Sequence, residues 1–209
     1  MGIIGEINQA IMKGNENEVI SGIEKALKQG FAPETILQKG MIEAMESVGE
    51  KMSSGDMFIP EVLMSASAMQ KGLKNIVRSI PDEKIYNQGK VLIGTVEGDL
   101  HDIGKNLVAM ILESGGFEVI NLGIDIPPEK FFAAAKEHDP HVIGLSALLT
   151  TTMPAMQETV KILKDEGISA KVVVGGAPIS KDFADQIGAD GYASDAAAAL
   201  TLIKGLVKG

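Results

Sequence analysis

Val91-Leu92-Ile93-Gly94-Thr95-Val96 runs directly into Glu97-Gly98-Asp99-Leu100-His101-Asp102-Ile103-Gly104-Lys105, and this passage decides how the chain is read. An apolar, β-branched run of this length describes a buried strand, and the acidic, glycine-spaced loop after it describes a turn at the strand's carboxyl end. The pattern then repeats. Strands are expected over 91–96, 118–122, 141–146, 171–174 and 191–192, with helices starting near Asp102, Pro128, Pro154, Lys181 and Ser194. Strands alternating with helices of this length form a parallel sheet. Five such units fit a flavodoxin-like α/β fold, whose ligands gather at the carboxyl ends of the strands.

Upstream of Gln88 the period changes. Apolar residues recur at helical spacing in Val19, Ile23 and Leu27, in Leu37, Met41, Met45, Val48 and Met52, and in Val62, Ala66, Met69, Leu73, Ile76 and Ile80. With a short helix around 7–12, these predict a four-helix bundle closed by short loops. Pro33 followed by Glu34 suits a first helical turn, and Gly30 and Gly55 supply stops. Eight of the 11 Met precede residue 88, and at helical spacing most of them are assigned to core packing. The polar stretch 81–89 separates the two patterns. It divides the chain into a helical domain with the start of a linker at 1–88 and a sheet domain at 89–209.

Composition narrows the function. With 209 residues and 45% hydrophobic content the chain can bury a real core, while 19 basic against 28 acidic residues leave a net charge of −9. That balance offers no cationic footprint for nucleic acid or an anionic membrane, and two Tyr with six Phe are too few for base-stacking platforms. The absence of Cys removes disulfides, thiolate nucleophiles and Cys-based metal sites, and suits a reducing, cytoplasmic setting. No apolar run reaches the roughly 18 residues of a membrane span. The first ten residues carry no cationic stretch before an apolar one, and Glu6 stands where myristoylation needs Ser or Thr, so neither export nor that anchor is expected.

The chemistry-bearing residues sit in the loop after the first strand. Asp99, two residues before His101, can take the proton of one ring nitrogen and leave the other as a better donor to a metal. Zinc is a poor candidate, because His138 and His141 fall at the opposite end of the sheet, where they read as a helix-end and a strand-start histidine. Gly94, Gly98 and Gly104 are too widely spaced for a dinucleotide fingerprint. Ser146 occupies the position where a phospho-acceptor domain needs aspartate. Glu97, Asp99 and Asp102 would repel a flavin phosphate.

Three linked motifs then carry a resemblance. Asp99, His101 and Gly104 form Asp-x-His-x-x-Gly; 41 residues separate Gly104 from Ser146 of Ser146-x-Leu148; 26 separate Leu148 from the pair Gly175-Gly176. In order and interval these resemble the corrinoid-binding domain of cobalamin-dependent methyltransferases and mutases. The helical half, with Met57-Phe58-Ile59-Pro60-Glu61-Val62-Leu63, resembles the cap domain of the methyl-transferring branch. Together they cover nearly the whole chain, in the manner of the small corrinoid proteins of methanogens and acetogens.

The resemblance implies a cobamide whose cobalt takes His101 as its lower axial ligand, with Asp99 as the hydrogen-bonded partner. Thr152 falls where methionine synthase carries the relay serine, keeping the hydroxyl and adding a methyl group. Gly98, Asp102, Ile103 and Gly104 would flank the cofactor. Ser146, Leu148 and Thr150 would offer hydroxyls and an apolar wall to its nucleotide tail, and Gly175 and Gly176 would let the lower base lie on bare backbone. Phe58 would cover the upper face, helped by Met57, Ile59 or Val62.

The implied activity is methyl carriage: cobalt(I) accepts a methyl group from a donor-specific methyltransferase, and methyl-cobalt(III) delivers it to an acceptor methyltransferase, with a reductive activating protein restoring cobalt(I). No donor-activating module is expected in the chain, so it is not catalytic alone. The rival classes are the corrinoid subunit of a radical mutase and a cobalamin-dependent sensor.

Overall fold

In the computed structural model, residues 2–76 and 88–208 are described. The chain divides into two compact units, Met1–Asn87 with Glu113–Gly116, and Gln88–Leu112 with Phe117–Gly209. The expected helical reach to Ile80 and the polar stretch 81–87 lie outside the described residues.

The first unit is helical. α1 spans Ile3–Met12 and α2 spans Glu16–Lys28, where the Asn15 side chain accepts a hydrogen bond from the Glu18 N–H at 3.2 Å. α3 is a composite. An α-helical start at Pro33–Thr35, with Pro33 in the first turn, continues through a π-helical segment at Ile36–Ile42 into α-helical Glu43–Ser54. α4 spans Ile59–Ile76. Gly55 ends α3 in the left-handed region at φ 81, which glycine adopts without a side-chain penalty.

Ile7, Ile11, Val19, Ile23, Met41, Met45, Val48 and Met69 fill the core, as their spacing predicts. The π segment departs from the expected uninterrupted α-helix. Its wider turn brings Ile36 and Leu37 inward together with Gly40, Met41 and Ile42, more apolar surface than one α-helical stripe can bury. Val62, expected as a possible partner of Phe58, is instead core, while Phe58, Ile59, Leu63 and Met64 stay exposed.

The second unit is a parallel sheet of β1 (Lys90–Thr95), β2 (Glu118–Asn121), β3 (Val142–Ser146), β4 (Lys171–Gly175) and β5 (Gly191–Ala193), in the order β2-β1-β3-β4-β5. The helices are α5 (Ile103–Ser114), α6 (Pro128–His138), α7 (Met153–Asp165), α8 (Lys181–Ile187) and α9 (Ala196–Lys208). This is the flavodoxin-like order, and every strand falls within a residue or so of its sequence expectation.

Leu92, Ile143, Leu145, Val172 and Val174 face a core shared with Phe131 of α6, Met156 and Val160 of α7 and Ala184 of α8. The alternating residues point the other way. There β3 leaves Gly144 and Ser146 only half-buried, and Gly175 of β4 matches them. Register aligns Thr95, Ser146, Gly175 and Ala193 in one row at the carboxyl ends of four strands. Among the described residues no helix is long and apolar enough to cross a membrane.

Just past that row, Gly176 holds φ 129, and a β-carbon there would stand 1.8 Å from the Ala147 carbonyl oxygen, which is backbone and cannot swing away. Gly176→Ala is expected to lower the unfolding free energy by about 2 kcal/mol or more through overpacking and left-handed strain, measured by urea denaturation.

Candidate functional site

The loop after β1 folds around a carboxylate. Asp99 is fully buried, and its Oδ1 accepts the backbone N–H of His101 at 3.0 Å, an Asx-type turn that requires the two residues to stand two apart. The same oxygen lies 2.7 Å from His101 Nδ1. Its Oδ2 accepts the N–H of Leu148 at 2.7 Å and of Leu149 at 3.3 Å. The Thr152 hydroxyl lies 2.9 Å from Oδ2 and 2.9 Å from the Leu149 carbonyl oxygen, sharing its single proton between two acceptors. Asp99, His101 and Thr152, separate in sequence, are therefore brought together.

Burial pushes the Asp99 carboxyl up, but hydrogen bonds from the Leu148 N–H, the His101 N–H and ring and the Thr152 hydroxyl outweigh it and hold the group well below the usual carboxylate range. An ionised carboxylate only accepts, so Nδ1 carries the proton and, in the neutral ring, Nε2 keeps its lone pair. The His101 side chain is 50% exposed. One ring nitrogen is thus oriented and the other is left for a ligand, which is the arrangement a metal-binding imidazole needs.

Thr95, at the end of β1 and fully buried, donates its hydroxyl to the His101 carbonyl at 2.9 Å, so the backbone of His101 is held at both ends. Sequence reasoning missed Thr95, although a buried polar residue closing an apolar strand was a signal. It also missed Asp125, whose Oδ1 accepts the Gly98 N–H at 2.7 Å from a left-handed backbone at φ 53. Gly98 is itself left-handed at φ 79. A third omission is the polar chain beside Asp102, which accepts from Asn106 Nδ2 at 2.9 Å, with Lys105 and Asn121 joined to Asn106.

The remaining candidates divide cleanly. Gly104 has nothing within 4 Å of where a β-carbon would stand, and Ile103 beside it is 86% exposed. Leu148 gives its N–H to Asp99 and exposes its side chain, and Thr150 is exposed in a short turn, Thr150–Thr152. Ser146 is half-buried in the aligned row. At Gly175 a β-carbon would stand 2.9 Å from the Ala193 carbonyl oxygen, so both glycines of the pair are required by backbone approach alone. Leu100, Ile103, Ile124, Leu148 and Leu149 form a set of exposed apolar residues in the loops and first helical turn at this end of the sheet. In the helical unit, Phe58 is 69% exposed at the start of α4, with its N–H bonded to Glu61 Oε2 at 2.9 Å.

Because the Asp99 carboxyl lies below its ordinary value of 3.8, its contribution to stability is complete above that pH and is lost as pH falls towards the folded value. Asp99→Asn is expected to destabilise the protein at pH 7 by about 2–4 kcal/mol through its unmatched buried donors. The gap from wild type should narrow steadily below about pH 4, followed by urea denaturation at each pH.

Comparison with known proteins gives this geometry a lineage. Residues 89–201 and residues 3–76 each match a B12 binding domain family. A dimethylamine corrinoid protein of Methanosarcina acetivorans is 40% identical over 99% of this chain and 97% of its own length. A corrinoid protein of Desulfitobacterium hafniense is 42% identical over 97% of this chain and 96% of its own. Among solved structures, the methanol:cobalamin methyltransferase complex of Methanosarcina barkeri contains a chain that aligns at TM-score 0.88 and 33% identity, covering 99% of this chain and 80% of that one. A cobalamin-binding protein of Desulfitobacterium hafniense aligns at TM-score 0.81 and 30% identity, covering 98% of both chains. With the Asp99–His101 site standing at the carboxyl end of a flavodoxin-like sheet, and with both halves matched, the chain belongs to the B12-binding family of corrinoid proteins.

Proposed function

We propose that this protein carries a methyl group on a bound cobamide between two partner enzymes, and that His101 Nε2 would hold its cobalt. The observation that carries the reading is the half-exposed His101 ring, its Nδ1 committed to an ionised Asp99 and its Nε2 free of hydrogen bonds among the described residues. The surroundings suit a large, mostly apolar ring with a polar tail: exposed apolar residues near His101, open space at Gly104, and half-buried Gly144, Ser146 and Gly175 on one face of the sheet. The Ser146 hydroxyl makes no hydrogen bond among the described residues and is available to that tail.

The bound cobamide supplies a cobalt centre that takes up and gives up a methyl group; the protein's residues do the rest. Asp99 holds the proton on Nδ1, so that Nε2 approaches as a neutral donor. Asp99, His101 and Thr152 would together hold a proton whenever the imidazole is not bound to a metal. Thr152 and the Leu148 N–H keep the carboxylate in place through both states. A separate methyltransferase activates the donor, a small methylated amine or alcohol by likeness to the named relatives; a second accepts the methyl group, and a reductive activating protein returns the metal to its reduced state. The Cys-free composition supports a reducing cytoplasmic setting.

Reconstitution with hydroxocobalamin followed by gel filtration is expected to leave a coloured protein with one cobamide per chain. The cobalt(II) electron paramagnetic resonance spectrum should show nitrogen splitting that His101→Ala removes or alters. An unchanged spectrum would show that the nitrogen belongs to the cofactor's own base. Reduced holoprotein mixed with methanol or methylamine alone is expected to methylate slowly, and fast once a matched donor methyltransferase is added; repeated turnover by the purified chain would make it an enzyme in its own right.

A further inference from the structure

Lys105 is the buried charge that the reading above does not use. It is 3% exposed, in the first turn of α5, four residues past His101. Lysine is almost never buried this fully unless a carboxylate pairs with it. Here the ammonium donates to two neutral amide oxygens, Asn106 Oδ1 at 2.6 Å and Asn121 Oδ1 at 2.8 Å. The first also accepts Asn121 Nδ2 at 3.1 Å and the second the Gly123 N–H at 3.1 Å. Among the described residues no carboxylate pairs with Lys105 directly; Asp102 is reached only through Asn106 Nδ2. Burial pushes the Lys105 ammonium down and the charge of Asp102 partly offsets this, while the short contact to Asn106 is that of a charged donor.

A tie between α5 and the end of β2 needs no charge, since a glutamine amide can make such bonds and a methionine would avoid the desolvation cost. The charge has an electrostatic effect of its own. Asn121 closes β2, the neighbour of β1, so the ammonium lies at the carboxyl edge of the sheet, beside the loop that presents His101. Buried away from water, its field is weakly screened.

We propose that Lys105 is a fixed positive charge that favours the most reduced state of a cobalt bound beside His101, easing the one-electron step that readies the carrier for a methyl group. The inference rests on the cobamide reading above. The step adds one electron from a low-potential one-electron donor to cobalt(II), giving cobalt(I); the His101 Nε2–cobalt bond breaks and its electron pair stays on the nitrogen. A nearby positive charge lowers the energy of the product relative to the reactant, and a negative charge does the reverse.

The test is a spectroelectrochemical titration of holoprotein reconstituted with hydroxocobalamin, using titanium(III) citrate as reductant. Lys105→Met should move the cobalt(II)/cobalt(I) midpoint to more negative potential, so that the cobalt(I) fraction at the wild-type midpoint falls several-fold. Lys105→Arg, which keeps the charge, should stay near wild type. Asp102→Asn, which removes a negative charge, should move the midpoint the opposite way. An unchanged midpoint in loaded Lys105→Met overturns the proposal. So does Asp102→Asn shifting in the same direction as Lys105→Met, because distortion rather than charge would then explain both. If Lys105→Met takes up no corrinoid, the sign of the Asp102→Asn shift decides alone: positive supports the proposal, and nil or negative overturns it. Failure of wild type to bind hydroxocobalamin defeats the cofactor reading and this proposal with it, whereas a loaded wild type with indifferent variants defeats only the role of Lys105.

Discussion

An ionised carboxylate buried from bulk solvent is the constraint on which the ligand end of the sheet depends. Asp99 is fully buried, and a charge in that position is tolerated only when its lone pairs are filled by donors. Those donors come from two loops far apart in sequence: His101, on the loop after β1, and Leu148, Leu149 and Thr152, on the segment after β3. One carboxylate therefore closes the two loops on each other, and the orientation of the imidazole is a by-product of satisfying it. The two-residue spacing between Asp99 and His101 follows from the same geometry, since one oxygen must reach both a backbone N–H and the ring of a single residue.

Much of this was legible in the sequence because it is local or periodic. Strand and helix alternation located the sheet, and the motif at Asp99, His101 and Gly104 lies within one loop. The hydroxyl of Thr152 was assigned through resemblance, and its 2.9 Å contact with Asp99 shows that the extra methyl group does not displace it. What escaped was non-local or degenerate. Nothing in the order of residues pairs Lys105 with Asn121; that contact exists because β2 lies beside β1. The four-residue steps from Leu37 to Met41 to Met45 suit an α-helix as well as a π turn, so the π segment of α3 left no distinct trace. Val62 shares a helix with Ile59, and Phe58 stands just before it, yet the bundle takes Val62 inward and leaves the others out.

The two units show different uses of apolar side chains. In the helical unit the buried methionines Met41, Met45 and Met69 fill irregular gaps, while Phe58, Ile59, Leu63 and Met64 remain exposed around the start of α4. In the sheet unit the core against α6, α7 and α8 is continuous, and the apolar residues left outside stand at the loops near His101. Exposure of large apolar groups in clusters carries a cost in solubility, and marks surfaces that do their work when covered. Within the sheet unit the site thus stands on the ends of the strands, with exposed apolar side chains in the loops beside it.

The half-buried state of Gly144, Ser146 and Gly175 has a thermodynamic consequence. A central strand of a parallel sheet ordinarily has both faces covered, yet here one face keeps small residues partly open to water. A ligand that settles there binds the folded chain and not the unfolded one, so its binding free energy adds directly to the stability of the fold. Folding and loading are then one linked equilibrium, and the empty protein is the more readily unfolded and degraded species. Supply of the cofactor would therefore regulate the amount of carrier as well as its occupancy, with no regulator other than mass action.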